Sequence, residues 1–294
     1  MQQLNQEVID LYDYFIHSDM DRRVFMDRLV RLVGGAAAAN AALALLQSNY
    51  ALAQTVPEND PRLVSETWSY TGPHGTMNGS LVRLRGGARR PAVLVIHENR
   101  GLNPHIRDVT RRIALEGFLA FGIDSLSLDG GTPADEDAAR AMFAKVDLNR
   151  IGESVAAAVK ALSAHPEATG KVGAVGFCWG GGMVNQLAWR APDLAAGVAY
   201  YGMQAPADKV PAINAALLLH YAGTDERINA GIETYRKALT DAGKTFEIHL
   251  YEGTQHAFNN DTGGARYNAE AARLAWSRTI AHFVKHLGAP PKPS

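Results

Sequence analysis

Five residues, Gly176-Phe177-Cys178-Trp179-Gly180, constrain this chain more than any others. They follow an apolar run, residues 171–175, that reads as a short buried strand. They lead into residues 181–190, which read as a helix. Strand, sharp turn, helix is the setting of a nucleophile elbow, G-x-S-x-G, here with cysteine in the place of serine. Such a turn drives its central residue into a strained backbone conformation, and side chains at the flanking positions would collide with strand or helix, so glycine stands there. The thiol is thereby held above the sheet, beside a helix N-terminus whose partial positive charge favours thiolate over thiol. The competing reading is a glycine-rich turn around a buried cysteine, and residues further along the chain decide between the two.

The rest of the sequence supplies a frame for such a turn. Residues 63–70 and 77–84 read as a strand pair joined through Pro73-His74-Gly75. Residues 92–96 form a continuous β-branched run, the mark of a strand buried on both faces of a parallel sheet. From there strands at 119–123, 171–175, 195–200, 215–219 and 246–251 alternate with helices at 106–116, 134–163 (one or two), 229–242 and 268–287. Repeated β-α units after an antiparallel start predict an α/β fold, a mostly parallel central sheet with helices on both faces. A chain of 294 residues, 47% hydrophobic, is long enough to bury such a core. Its formal net charge of -1 and the lack of a basic, aromatic-interleaved patch give no reason to expect nucleic acid. No run of 18 or more apolar residues suggests a membrane span. The single cysteine rules out an intrachain disulfide. No metal-binding signature appears, so neither metal nor cofactor is expected.

Residues 1–55 differ from the body, 56–294, and are read as a separate N-terminal extension. Residues 4–17 fit a short amphipathic helix. Arg22-Arg23, an alanine-rich stretch at 34–46 and Ala51-Leu52-Ala53 together outline a twin-arginine export signal, with Ala53 as the last residue removed and the periplasm as destination. The other reading is a retained helical segment on a cytoplasmic protein. Asp21 and Asp27, which interrupt the basic region, favour it. A retained segment must cover its apolar face from Val30 to Leu46, by docking on the body or by forming a homodimer.

Sites in parallel α/β sheets fall beyond the C-terminal ends of strands. That rule selects His97, Glu98, Asp124, Cys178, Tyr201, Asp225 and His256. A thiol nucleophile needs a base, and the base needs an acid to orient it. In α/β-hydrolases the chain order is nucleophile, acid, histidine. Cys178, then Asp225 in Gly223-Thr224-Asp225, then His256 in His256-Ala257-Phe258 satisfy that order, each just past a strand. His97 and His220 precede the acid position, Glu226 beside Asp225 is a second candidate acid, and Asp124 reads as a strand-closing residue.

These segments resemble the dienelactone hydrolase (carboxymethylenebutenolidase) family over about residues 63–287. The resemblance is carried by Gly176-Phe177-Cys178-Trp179-Gly180-Gly181, Gly223-Thr224-Asp225, His256-Ala257-Phe258, Tyr200-Tyr201-Gly202 and His97-Glu98-Asn99-Arg100-Gly101-Leu102-Asn103. The extension resembles that of a subgroup with a long head-piece. The resemblance implies an α/β-hydrolase fold and hydrolysis of a small-molecule ester or lactone without a cofactor. In it Cys178 attacks the carbonyl, His256 is the base and Asp225 orients it. Glu98 sits near the thiol and takes its proton when substrate arrives; read without the family it would be a loop residue pairing with Arg100. The backbone N–H groups of Trp179 and Asn99 would form the oxyanion hole, and Tyr201 would line the pocket. The family holds a substrate carboxylate with two arginines. One of those positions is Asn260 here, which cannot act as a charged fork, and Arg140 is a match for the other. A neutral or larger ester or lactone is therefore as well suited as dienelactone. Alternatives are a thioesterase, a broad esterase, and a non-catalytic interaction protein working through residues 1–55.

Overall fold

The computed structural model describes residues 4–18, 20–47 and 55–291. The expected cleavage position after Ala53 lies outside these residues. The sheet begins with a hairpin, β1 (Leu63–Gly72) and β2 (Gly75–Leu84), paired from Leu63↔Leu84 to Gly72↔Gly75. β2 runs antiparallel to β4 (Leu119–Asp124). Beyond it β3 (Arg90–Ile96), β5 (Ala168–Phe177), β6 (Ala196–Tyr200), β7 (Ala216–Ala222) and β8 (Phe246–Tyr251) are all parallel, giving the order β1-β2-β4-β3-β5-β6-β7-β8. Every residue of β3 is buried, as its unbroken apolar run requires.

Two apolar layers clamp the sheet. On one face Val155 and Leu162 of α6 (Leu148–Ser163), Val184 and Leu187 of α7 (Trp179–Arg190) and Leu239 of α9 (Ile232–Asp241) pack on Leu94, Ala174 and Leu217. On the other, Ile106 and Ile113 of α4 (Pro104–Leu115) and Ala275 and Phe283 of α10 (Ala269–Leu287) pack on Val93, Val95 and Val198. Each fully buried Leu, Ile or Phe contributes roughly 1.5–3 kcal/mol, so the sheet is a rigid platform for what stands on its edge. The helix expected at 134–163 is two, α5 (Glu136–Phe143) and α6, each opened by an aspartate cap. The one expected at 229–242 is split at Gly231 into a single turn, α8 (Glu226–Asn229), and α9.

The described residues of the extension fold as three helices, α1 (Gln6–His17), α2 (Arg22–Val33) and α3 (Ala36–Leu46). Asn5 and Asp21 cap the first two through their side chains, and Gly34, in the left-handed conformation at φ 79°, ends the second. Val8, Tyr12, Phe15, Phe25, Leu29, Ala42 and Leu46 form their own buried cluster, with the Phe15 and Phe25 rings stacked at 4.3 Å. The alanine-rich stretch is thus a helix whose small residues let it pack closely. Among the described residues no single helix is long and apolar enough to cross a membrane; α2 and α3 meet at a bend of 110°.

Candidate active site

The turn after β5 has the geometry its sequence demands. Cys178 has φ 56° and ψ -114°, and its backbone N–H donates to the Tyr200 carbonyl at 3.0 Å. A Cβ on Gly176 would overlap the Gly180 carbonyl, and one on Gly180 would overlap the carbonyls of Ile96 and His97. Among the described residues only Cys178, Tyr201 (φ 37°) and Ala257 (φ 67°) are non-glycine residues with positive φ. All three lie at this edge of the sheet, one at the turn, one just past β6 and one beside His256. Backbone strain of about 1–3 kcal/mol each is concentrated there, as expected where side-chain position matters more than local comfort.

Asp225 and His256 meet across the sheet edge. His256 Nδ1 lies 2.5 Å from Asp225 Oδ2, with both side chains almost wholly buried. The other oxygen, Asp225 Oδ1, accepts from the Ile228 N–H at 3.3 Å, so capping α8 fixes the carboxylate. A carboxylate can only accept, so Nδ1 carries the proton and Nε2 presents a lone pair. That Nε2 is buried and without a hydrogen-bond partner. Tyr201, fully buried, lies with its ring 4.9 Å from that of His256; burial pushes its phenol well above the ordinary value, so it stays protonated.

Glu98 follows β3 and is 8% exposed. Its Oε2 accepts from Asn260 Nδ2 at 3.2 Å and its Oε1 has no hydrogen-bond partner. The pairing with Arg100 considered from sequence does not form: Arg100 Nε faces Glu136 at 3.7 Å. Asn260 therefore faces the acid that follows β3. Of the histidines weighed from sequence, His97 donates from Nδ1 to the Glu98 carbonyl at 2.6 Å and accepts at Nε2 from the Ser125 N–H at 3.1 Å. His220 is enclosed by Tyr251 Oη at 2.9 Å and Thr279 Oγ1 at 3.3 Å, and burial holds it well below an ordinary imidazole value. Asp124 accepts from Leu126 and Thr132. These three brace the loops.

The residue that sequence reasoning missed is His17, the last of α1. Its Nε2 lies 3.0 Å from Cys178 Sγ, and its ring packs edge-on against His256 at 4.7 Å. One donor atom from each of His17, Cys178 and His256 falls within 4.8 Å of the others, a nitrogen and sulfur set of the kind that suits zinc. The only sequence hint was that residues 4–17 form an amphipathic helix of unknown destination. Arg140 is committed to the same helix: Nη1 lies 3.4 Å from the Phe15 carbonyl and the guanidinium sits 4.6 Å from the Phe15 ring centre. The side chain of Asn99 also turns to α1, donating to the Ile16 carbonyl at 2.7 Å.

Two cavities reach the sulfur. One of about 370 Å³ is bounded by Phe15, His17, Glu98, Arg100, Cys178 and His256. The other, about 1140 Å³, opens between the end of α1, the end of α5 and α7, where Phe143, Trp179, Met203 and Tyr201 form its wall. So although Cys178 is only 8% exposed, its thiol borders space that a small molecule can enter.

The sheet order and an elbow at the end of β5 define an α/β-hydrolase. Residues 78–287 match the dienelactone hydrolase family, and residues 1–33 match a family described as YqhI-like. The chain is 32% identical over 213 residues to an Escherichia coli (strain K12) protein named "Putative carboxymethylenebutenolidase", covering 67% of this chain and 78% of that one. It is 46% identical over 106 residues to "Putative hydrolase fragment YghX" of the same organism, across 35% of this chain and 91% of the other. A crystal structure titled "Putative Dienelactone Hydrolase", from Klebsiella pneumoniae, matches with a TM-score of 0.69 at 29% identity, covering 76% of this chain and 99% of that one. The chain belongs to the dienelactone hydrolase family, and with it to the hydrolases of esters and lactones.

Proposed function

We propose that this chain hydrolyses a carboxylic ester or lactone by covalent catalysis at Cys178, with His256 and Asp225 completing the triad. The observation that carries this reading is the buried Asp225–His256 pair: its Nε2 has no partner, and a ring nitrogen of His256 lies within 4.8 Å of a sulfur fixed at a strained turn. The thiolate attacks the carbonyl carbon, and the C–O bond of the ester breaks as the leaving alkoxide takes the proton that the thiol gave up. His256 then draws a proton from water, which attacks the thioester and frees the acid. The N–H of Trp179, first residue of α7, and that of Asn99 are the donors for the oxyanion; losing one such donor costs roughly a hundredfold in rate or more. Glu98, with one oxygen unpartnered in the cavity that holds the sulfur, is the group that exchanges a proton with the thiol as substrate enters.

A neutral ester or lactone suits the site as well as one that carries a carboxylate. Asn260 carries no charge and faces Glu98, while Arg140 reaches the Phe15 carbonyl and ring and keeps its Nε without a hydrogen-bond partner at the larger cavity. Tyr201, Trp179, Phe143 and Met203 offer an apolar wall to the acyl or alcohol portion. Residues 1–55 act as a head-piece over the site and 56–294 as the catalytic body. A panel of neutral and acidic lactones and aryl esters tests the assignment. Turnover should extend to the neutral members and vanish in Cys178→Ala or after iodoacetamide; full activity in either case rejects a cysteine mechanism.

A further inference from the structure

The head-piece brings a second imidazole to the nucleophile. His17 Nδ1 lies 2.8 Å from the Asp13 carbonyl oxygen, which can only accept, so the proton of the neutral ring is on Nδ1. The Nε2 lone pair is then directed at Cys178 Sγ, 3.0 Å away. The Asp13 carboxylate stands 3.2 Å from the same Nδ1 and is backed by Arg227 at 3.6 Å. An aspartate thus stands beside Nδ1 as Asp225 does beside His256, but here its backbone carbonyl takes the hydrogen bond and its carboxylate contributes charge. The placement of α1 is fixed from several directions: Asn99 holds the Ile16 carbonyl, Arg140 the Phe15 carbonyl and ring, and Gln255, next to His256, exchanges side-chain hydrogen bonds with Gln6 at 2.7 and 3.0 Å.

We propose that His17, oriented by Asp13, is a further catalytic residue: while α1 is docked it, rather than Glu98, takes the proton of Cys178, leaving His256 to activate water. The proposal rests on Cys178 being the nucleophile. The Sγ–H bond breaks, its proton goes to Nε2 of His17, and the electron pair stays on sulfur as thiolate; His17 becomes an imidazolium donating to Asp13 through Nδ1. Attack on the ester forms the S–C bond, and the departing alkoxide leaves with the proton from that imidazolium. The larger cavity lets substrate reach the sulfur while α1 stays docked. The groups facing His17 are Asp13 on its own helix, Cys178 at the elbow, His256 after β8, and Glu98 across the smaller cavity, with Arg227 behind Asp13. Burial alone would lower His17, yet the sulfur and the Asp13 carboxylate hold it above the ordinary imidazole value.

Because the chain has one cysteine, alkylation by iodoacetamide reports on this sulfur alone. The experiment compares the second-order alkylation rate of the full chain with that of His17→Gln and Asp13→Asn. At about pH 6 the rate should fall about tenfold in His17→Gln and several-fold in Asp13→Asn. At about pH 10, where a thiol ionises unaided, the differences should close. An unchanged or faster rate at about pH 6 in both variants overturns the proposal and makes His17 a cover for the sulfur. Asp13→Asn keeps the ring, so it decides the question if limited proteolysis shows that His17→Gln has released the head-piece. Alkylation requires no turnover, so this result is independent of whether Cys178→Ala abolishes ester hydrolysis, which tests the underlying reading.

Discussion

Two acid–imidazole pairs face one sulfur from regions of the molecule built in different ways. Asp225–His256 stands on the C-terminal edge of a sheet, its acid locked by the cap of α8 and its ring wedged beside Tyr201. Asp13–His17 rides on the last turn of a helix held to the body by side chains and a few carbonyl contacts. The first pair is as rigid as the core beneath it. The second stands on a cluster that the three head-piece helices bury among themselves and meets the body through those contacts.

The sharpest way to break the comparison is to remove what both pairs serve. Cys178→Ala should lower ester turnover by about 10⁴-fold or more, with thermal stability unchanged, since a buried thiol gives way to a smaller apolar group. Residual turnover near the wild-type level would leave neither pair with a role. Next, Asp225→Asn should cost about 10³–10⁴-fold in kcat through loss of the ring's tautomer and orientation. Asp13→Asn should cost about tenfold, felt most at mildly acid pH. Equal losses would erase the distinction between a fixed and a carried base.

A third test asks whether the platform matters as claimed. Gly180→Ala places a methyl group against the carbonyls of Ile96 and His97 and should destabilise the fold by about 1–3 kcal/mol, read from the thermal midpoint. Gly86→Ala, with open space around its Cβ position and a φ of 108°, should show a smaller loss, from backbone strain alone. The weakest effect concerns docking. Burial would raise the Asp13 carboxyl, but His256, His17 and Arg227 outweigh it and hold it far below the usual carboxylate range. A carboxyl depressed in the folded state adds stability above its unfolded value, about 4, and loses it progressively as pH falls below that. The head-piece should therefore resist proteolysis more in wild type than in Asp13→Asn at neutral pH, and the gap should narrow steadily below about pH 4. A gap that widens with acid would reverse the assigned sign.

The same division explains what the sequence disclosed. Cys178, Asp225 and His256 could be singled out as candidates because each lies just past a strand in a fold whose strands are themselves legible, and the chain order of the three is a constraint in its own right. Glu98 was placed by the loop after β3. Its partner was not: Asn260 reads as a missing cation, and only folding shows the amide turned to the carboxylate. His17 was opaque because its contact spans 161 positions and a histidine ending an amphipathic helix looks like any solvent-facing residue. The alanine-rich stretch fitted an export leader as well as a docked helix, since weak hydrophobicity and small side chains serve both.

The crowding around Gly180 bears on how such a protein can change. The chemistry proposed for position 178 resides in one side-chain atom, and the bend that presents it constrains the main chain rather than the element of that atom. The residue two places later meets main chain from the strand next door and has nowhere to grow. A lineage exploring new reactions is free to trade sulfur for oxygen at the summit of the bend, while the bare backbone supporting it is closed to alteration.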